Sequence, residues 1–205
     1  MYLKVCGLRE EENAIAILDI HPEWMGFIFV PSSPRYYNDA VDPVNISAVK
    51  GVKKVGVFVN QNADDILNLQ KKYNLDMIQL HGDESIETCK YLKEQGLSII
   101  KAFRVSDEFD FSLVNTYTPY IDLILFDTAG KSYGGNGVTF DWAVLNEHRF
   151  HKPFLLSGGI GPVSAAAIKA FAHPDMIGVD VNSRFETAPG IKDVEKLKLF
   201  KQQIA

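Results

Sequence analysis

Residues 123–142 read LILFDTAGKSYGGNGVTFDW. An apolar run short enough for one buried strand (123–126) ends on Asp127. A glycine-rich loop with Gly130, Gly134, Gly135 and Gly137 follows, and an amphipathic segment begins at about Val138. A carboxylate at the mouth of a buried strand is fixed by a rigid element yet faces solvent, and glycines after it let backbone N–H groups approach an anion closely. In parallel α/β proteins chemistry gathers at that edge. Read alone, the stretch also fits a turn capped by Asp127 and followed by a plain linker.

The same strand–loop–helix order recurs from one end of the chain to the other. Short apolar runs predict strands at 2–5, 25–30, 54–59, 77–80, 98–102, 123–126, 154–156 and 176–179. Amphipathic stretches predict helices at 10–19, 64–73, 84–94, 140–147, 163–171 and 194–204, with weaker patterns at 44–49 and 109–117. Carboxylates open the 64–73 segment and Gly96 follows the 84–94 segment, which are start and stop signals. Most of the strands are continuously apolar instead of alternating, so both faces are buried and the pairing is parallel. Eight right-handed βα units close naturally into a single (β/α)8 barrel over residues 1–205. An open doubly wound sheet is the alternative. At about 26 residues per unit the barrel is lean, so connections are short and one or two helices are stunted.

Composition narrows the class. A chain of 205 residues with 46% hydrophobic content buries a large core without disulfide or metal. A net charge of −5 and the lack of any Lys/Arg cluster argue against a nucleic-acid partner. Cys6 and Cys89 match neither a disulfide framework nor a zinc pattern. The opening MYLKVCG reads as a strand rather than a signal peptide, and no apolar run approaches a membrane span. A soluble cytoplasmic protein is expected.

In a barrel, the residues that follow each strand share one rim. Here they are Cys6-Gly7, the segment from Pro31 to Arg35, Asn60, His81-Gly82-Asp83, Phe103-Arg104, Asp127-Thr128, Ser157-Gly158-Gly159, and Asp180 to Ser183. This rim is polar and glycine-rich. Gly158 and Gly159 before a helix, with Asn182 and Ser183 one strand later, suit a phosphate held by backbone N–H groups. An ordinary tight turn is the plainer reading of Ser157-Gly158-Gly159.

Several blocks together resemble the phosphoribosylanthranilate isomerases of tryptophan biosynthesis. They are KVCG (4–7), GFIF and SPR (26–29, 33–35), VGVFVN (55–60), IQLHGDE (78–84), FDT…YGGNG…FDW (126–142), LSGGI (156–160) and GVDVNSRFE…PGIKD (178–193). They run through nearly the whole chain in the family's order. The resemblance implies a compact (β/α)8 barrel without cofactor or metal, as a monomer or homodimer. Its substrate would be a small phosphosugar, N-(5-phosphoribosyl)anthranilate, rearranged to 1-(2-carboxyphenylamino)-1-deoxyribulose 5-phosphate. Leu8-Arg9-Glu10 departs from the hydroxyl residue many relatives carry after KVCG, and Asn136 stands where threonine is common.

The rearrangement needs an acid to protonate the ribose ring oxygen and a base to take the proton from C2. The resemblance assigns the base to Cys6 and the acid to Asp127, on strands expected to face each other across the barrel mouth. Each requires a shifted pKa. Asp127 needs burial or a nearby anion, and Cys6 needs a positive field, for which Lys4 is placed two residues away on the same strand face. Taken alone, Cys6 reads as a small core hydrophobe; its strand-end position beside Gly7 favours the base. Cys89 reads as core filler. Arg35 is the candidate for the anthranilate carboxylate, which a guanidinium holds bidentately, against a plain surface arginine. Gly135 and Gly137 are expected in the backbone cradle, and His81 lines the site only. Asp180 is expected either on a substrate hydroxyl or on the backbone of its own loop. Competing readings are another phosphosugar isomerase or epimerase, or a non-catalytic phosphate-binding barrel. An epimerase would want metal-binding histidines, and of the five histidines only His81 falls at a strand end.

Overall fold

A computed structural model describes residues 1–38, 45–46, 49–106, 108–128 and 140–205. Eight parallel strands form a closed barrel in sequence order: β1 (Tyr2–Cys6), β2 (Trp24–Ile28), β3 (Lys53–Phe58), β4 (Met77–Leu80), β5 (Ile99–Val105), β6 (Leu123–Thr128), β7 (Phe154–Leu156) and β8 (Met176–Val181). Pairing of β1 with β8 completes the ring, with Lys4 opposite Asp180. The open-sheet alternative is thereby set aside.

The strands are apolar on both faces because each face meets a different shell. Outward residues such as Leu3, Val5, Phe27, Phe58, Ile78, Phe126 and Leu156 pack with the helices in one large cluster. Inward residues Trp24, Val55, Met77, Ile100, Leu123, Leu125 and Leu155 fill the lower barrel, and Cys6, Ile28 and Val57 form a small cluster above them. Polar interior residues Lys4, Gln79, Asp127 and Asp180 are buried as well.

The helices are α1 (Glu11–Leu18), α2 (Ala63–Tyr73), α3 (Ile86–Glu94), α4 (Ser112–Tyr117), α5 (Ala165–Ala170) and α6 (Val194–Ile204). The starts of α2, α3 and α6 follow from capping chemistry. The Asn62 side chain accepts the Asp64 N–H, Ser85 accepts that of Thr88, and Asp193 accepts that of Lys196. The expected economy is visible: α4 and α5 have six residues each, and residues 140–147, expected as an α-helix, give only the 3-10 helix Trp142–Glu147. The 163–171 segment likewise begins as a 3-10 turn, Pro162–Ser164, before α5. Half of the weak pattern at 44–49 (residues 44, 47 and 48) lies outside the described residues, and that at 109–117 becomes α4. A hairpin of β9 (Glu186–Ala188) and β10 (Ile191–Lys192) follows β8 and was not anticipated.

Strand ends also shift. β6 runs through Asp127 to Thr128 and β8 through Asp180 to Val181, so both carboxylates belong to strands rather than to the loops after them. The ladder continues because Asp127 pairs in register with Arg104 and Asp180 with Lys4.

Candidate active site

A cavity of about 690 Å3 opens at the C-terminal ends of the strands. Cys6, Arg35, His81, Asp127, Gly158, Gly159, Asp180, Asn182 and Ser183 all line it. Gly135 and Gly137 lie outside the described residues. Cys6 and Asp127 share this cavity but are not diametrically placed. β6 is three strands from β1 by way of β8 and β7, whereas the strand opposite β1 is β5.

Cys6 ends β1 because the next residue breaks away. Gly7 has φ +78°, and a Cβ there would stand 2.8 Å from Asn182 Oδ1 and 2.9 Å from Arg35 Cδ. Only glycine meets both demands. The thiol is 4% exposed. Burial pushes its pKa up; the Lys4 and Lys192 ammonium groups draw it back without overcoming burial, and Asp180 adds to the upward push. The positive field anticipated from Lys4 therefore exists, and burial outweighs it.

Lys4 is fully buried inside the barrel and pairs with Asp180, Nζ to Oδ1 at 3.0 Å. Burial pulls the amine down, but Asp180 and Cys6 outweigh it and hold Lys4 above its ordinary value. Burial also leaves the Asp180 carboxyl above its usual range despite Lys4. Of the two roles expected of Asp180, bonding to its own loop is replaced by the pair with the interior lysine, while the carboxylate still lines the cavity.

Asp127 is 5% exposed. Its Oδ1 accepts the Thr128 N–H at 2.9 Å, and its Oδ2 lies 3.0 Å from His81 Nε2. The other ring nitrogen of His81, Nδ1, lies 2.7 Å from the Gln79 amide nitrogen. An amide nitrogen only donates, so Nδ1 accepts and Nε2 carries the ring proton that points at Asp127. His81 is thus a direct partner of Asp127 rather than mere lining. The turn after His81 is fixed by Glu84, whose carboxylate accepts the N–H groups of Gly82 and Asn60 and meets Lys101 Nζ at 3.1 Å. Lys101 also donates to the Gly82 carbonyl at 2.7 Å.

Arg35 is no plain surface arginine. Its Nε and Nη2 form a bidentate pair with Glu186, the shortest contact being 2.7 Å, and Nη1 stands outside that pair. Lys192 Nζ reaches Glu186 at 2.5 Å and Asn182 Oδ1 at 2.6 Å. Burial would raise the Glu186 carboxyl, but Arg35 and Lys192 outweigh it and hold it low. Burial lowers Lys192, and Glu186 recovers only part of that. The backbone of Lys192 exchanges two 2.8 Å hydrogen bonds with the Asn13 side chain on α1. Glu186 and Lys192 went unassigned in the sequence although both lie within its most distinctive block.

Gly158 and Gly159 take φ +81° and +66°. A Cβ on Gly158 would collide with Thr128 Oγ1 and crowd Asp127 Oδ1 at 2.7 Å, so the loop after β7 lies directly against the end of β6. Neither Gly159 nor Ser183 gives its backbone N–H to a protein acceptor among the described residues. Among those residues no three His, Cys, Asp or Glu side chains gather to hold a metal, and no helix is long and apolar enough to cross a membrane.

Comparison with known proteins agrees with this geometry. The sequence profile of the family described as N-(5'phosphoribosyl)anthranilate (PRA) isomerase matches residues 3–203. The N-(5'-phosphoribosyl)anthranilate isomerase of Parabacteroides distasonis is 44% identical over 210 residues, covering 100% of this chain and 93% of that protein. The crystal structure of phosphoribosyl anthranilate isomerase from Thermotoga maritima superposes with a TM-score of 0.88 at 33% identity, covering 100% of this chain and 98% of that one. A phosphoribosyl anthranilate isomerase in complex with reduced 1-(o-carboxyphenylamino)-1-deoxyribulose 5-phosphate gives a TM-score of 0.84 at 31% identity, with coverage of 100% and 98%. This chain belongs to the N-(5'-phosphoribosyl)anthranilate isomerase family.

Proposed function

We propose that Cys6 and Asp127 are the base and acid of an Amadori rearrangement that converts N-(5'-phosphoribosyl)anthranilate to 1-(2-carboxyphenylamino)-1-deoxyribulose 5-phosphate. Residues 1–205 act as one barrel domain. The observation that carries the reading is that one cavity is lined by a thiol, a carboxyl and two consecutive glycines of positive φ.

Asp127 gives a proton to the ribose ring oxygen as the C1–O bond breaks, and the anthranilate nitrogen lone pair forms the iminium. Cys6, as thiolate, then takes the proton from C2, and the C2–H electron pair moves to give the enolamine. Loss of the C2 hydroxyl proton and gain of a proton at C1 complete the ketone, so the product is an isomer of the substrate. Lys4 supports the thiolate form of Cys6. Its charge is kept in place by Asp180, a better-defined role for that carboxylate than contact with sugar.

Substrate placement follows from the two ends of the cavity. The phosphate is held by the N–H groups of Gly159 and Ser183. Arg35 holds the anthranilate carboxylate through Nη1, aimed by Glu186. Anthranilate fluorescence provides the test: emission of freshly formed substrate should change on adding this protein, fully in chelator and not at all with Cys6→Ala. Undiminished turnover by Cys6→Ala would remove the thiol from the mechanism.

A further inference from the structure

We propose that Gln79 is a positioning residue whose side-chain amide, by turning over, sets whether the His81–Asp127 pair carries the proton delivered to substrate. The inference rests on the acid role given above to Asp127 and adds what charges that acid.

Gln79 lies inside the barrel on β4 and is 1% exposed. Its amide nitrogen donates to His81 Nδ1 at 2.7 Å, while its Oε1 is buried without a partner among the described residues. In this orientation His81 has its only proton on Nε2, directed at Asp127 Oδ2 3.0 Å away. A proton added to Asp127 would point at the ring's own N–H, and one added to Nδ1 would point at the Gln79 NH2. The observed arrangement is the discharged form of the pair.

Turning the amide by 180° exchanges its oxygen and nitrogen at nearly constant shape. Oε1 then accepts a proton on Nδ1, and His81 Nε2 faces Asp127 with room for one more proton between them. That proton sits on Asp127, beside a neutral ring, or on Nε2, beside a carboxylate. The two forms have the same composition, one proton richer than the observed form. Either orientation leaves one Gln79 atom unsatisfied, Oε1 before and Nε2 after, so the residue's own hydrogen bonding does not lock it. The proton count of the pair does. When the pair protonates the ring oxygen, one O–H bond forms on substrate, the C1–O bond breaks, and the pair returns to its discharged form with the amide turned back. Water supplies the next proton.

The experiment uses the full chain labelled with 15N-histidine, with the His81 signals assigned by their loss in His81→Asn. Gln79→Glu is nearly isosteric and, when ionised, offers only acceptors to Nδ1; Gln79→Met offers no donor and only a weakly accepting thioether. Glu should raise the proton affinity of His81 by about tenfold or more, and Met should move it oppositely to Glu. With reduced 1-(o-carboxyphenylamino)-1-deoxyribulose 5-phosphate bound, wild-type His81 should carry a proton on Nδ1. In turnover, Gln79→Met should lower kcat about tenfold or more with KM within about twofold, and Gln79→Glu should recover most of the loss. Unprotonated Nδ1 in the ligand complex, or a His81 titration unmoved in Gln79→Glu, overturns the proposal. If Gln79→Met does not fold, Gln79→Glu alone decides. Absence of turnover in the wild type would refute the isomerase reading instead, and the His81 titration would still judge Gln79.

Discussion

Replacing Lys4 with methionine tests the centre of the barrel. Lys4 Nζ and Asp180 Oδ1 are 3.0 Å apart, with side chains 0% and 5% exposed, so solvent screening gives little relief. At an effective dielectric of about 20, unit charges at that separation attract by about 5.5 kcal/mol. Methionine fills much of the same volume but leaves Asp180 buried without a counter-charge, for which losses of about 3–5 kcal/mol are typical. In a chain of this size that lowers Tm by roughly 6–20 °C. The penalty depends on pH. Without Lys4 the folded-state pKa of Asp180, already raised by burial, rises further above its unfolded value. Its protonated form fits the folded protein, so the penalty is smallest in acid and grows as pH climbs through the folded value. Thermal denaturation of Lys4→Met at several pH values, beside the Lys4→Met/Asp180→Leu double variant, measures this. The double variant should recover most of the stability while remaining catalytically poor, because the charge that favours the Cys6 thiolate is gone. A Lys4→Met protein as stable as wild type near neutral pH would refute this account of the pair.

Asp127→Asn removes the acidic proton and should lower kcat by a factor on the order of 10² or more; single-turnover fluorescence measures it, and near-normal turnover would remove Asp127 as the acid. Arg35→Ala should weaken substrate binding by roughly 1.5–3 kcal/mol, read as a raised KM, while leaving Lys192 still paired to Glu186. Burial raises the Cys6 thiol and pushes Cys89 up to about 11. Both groups add stability that is complete below the ordinary thiol range and is lost as pH rises through their folded values. Stability in urea should therefore fall between about pH 9 and 11, and Cys89→Ala should flatten part of that decline.

The barrel was legible because its strands are apolar on both faces, a pattern that only two-sided burial explains. The 3-10 helix Trp142–Glu147 was not, since its apolar spacing alone does not distinguish it from an α-helix; no α-helix is described between β6 and β7. At the site, strand-end position located Cys6, Asp127 and the two glycines after β7. Partnerships were harder. Nothing in the order of residues says that Arg35 meets Glu186, or that Lys4 meets Asp180 across a closed barrel, because each contact joins segments more than a hundred positions apart. Burial beside two lysines gave Cys6 a raised rather than lowered pKa, a balance that sequence proximity to Lys4 cannot weigh. Gln79 carried no signal as a single polar residue in an apolar strand, although its inward phase on β4, two residues before His81, follows from strand alternation once the strand is fixed.

Glu186 and Lys192, which brace Arg35 and Asn182, follow all eight barrel strands in sequence, and Lys192 is further tied to Asn13 on α1. A nascent polypeptide can therefore lay down most of its staves while the grip for the aromatic acid is still unmade. Truncations that spare Cys6 and Asp127 but end before the β9–β10 hairpin would keep the reacting groups and lose the hand that presents the substrate to them.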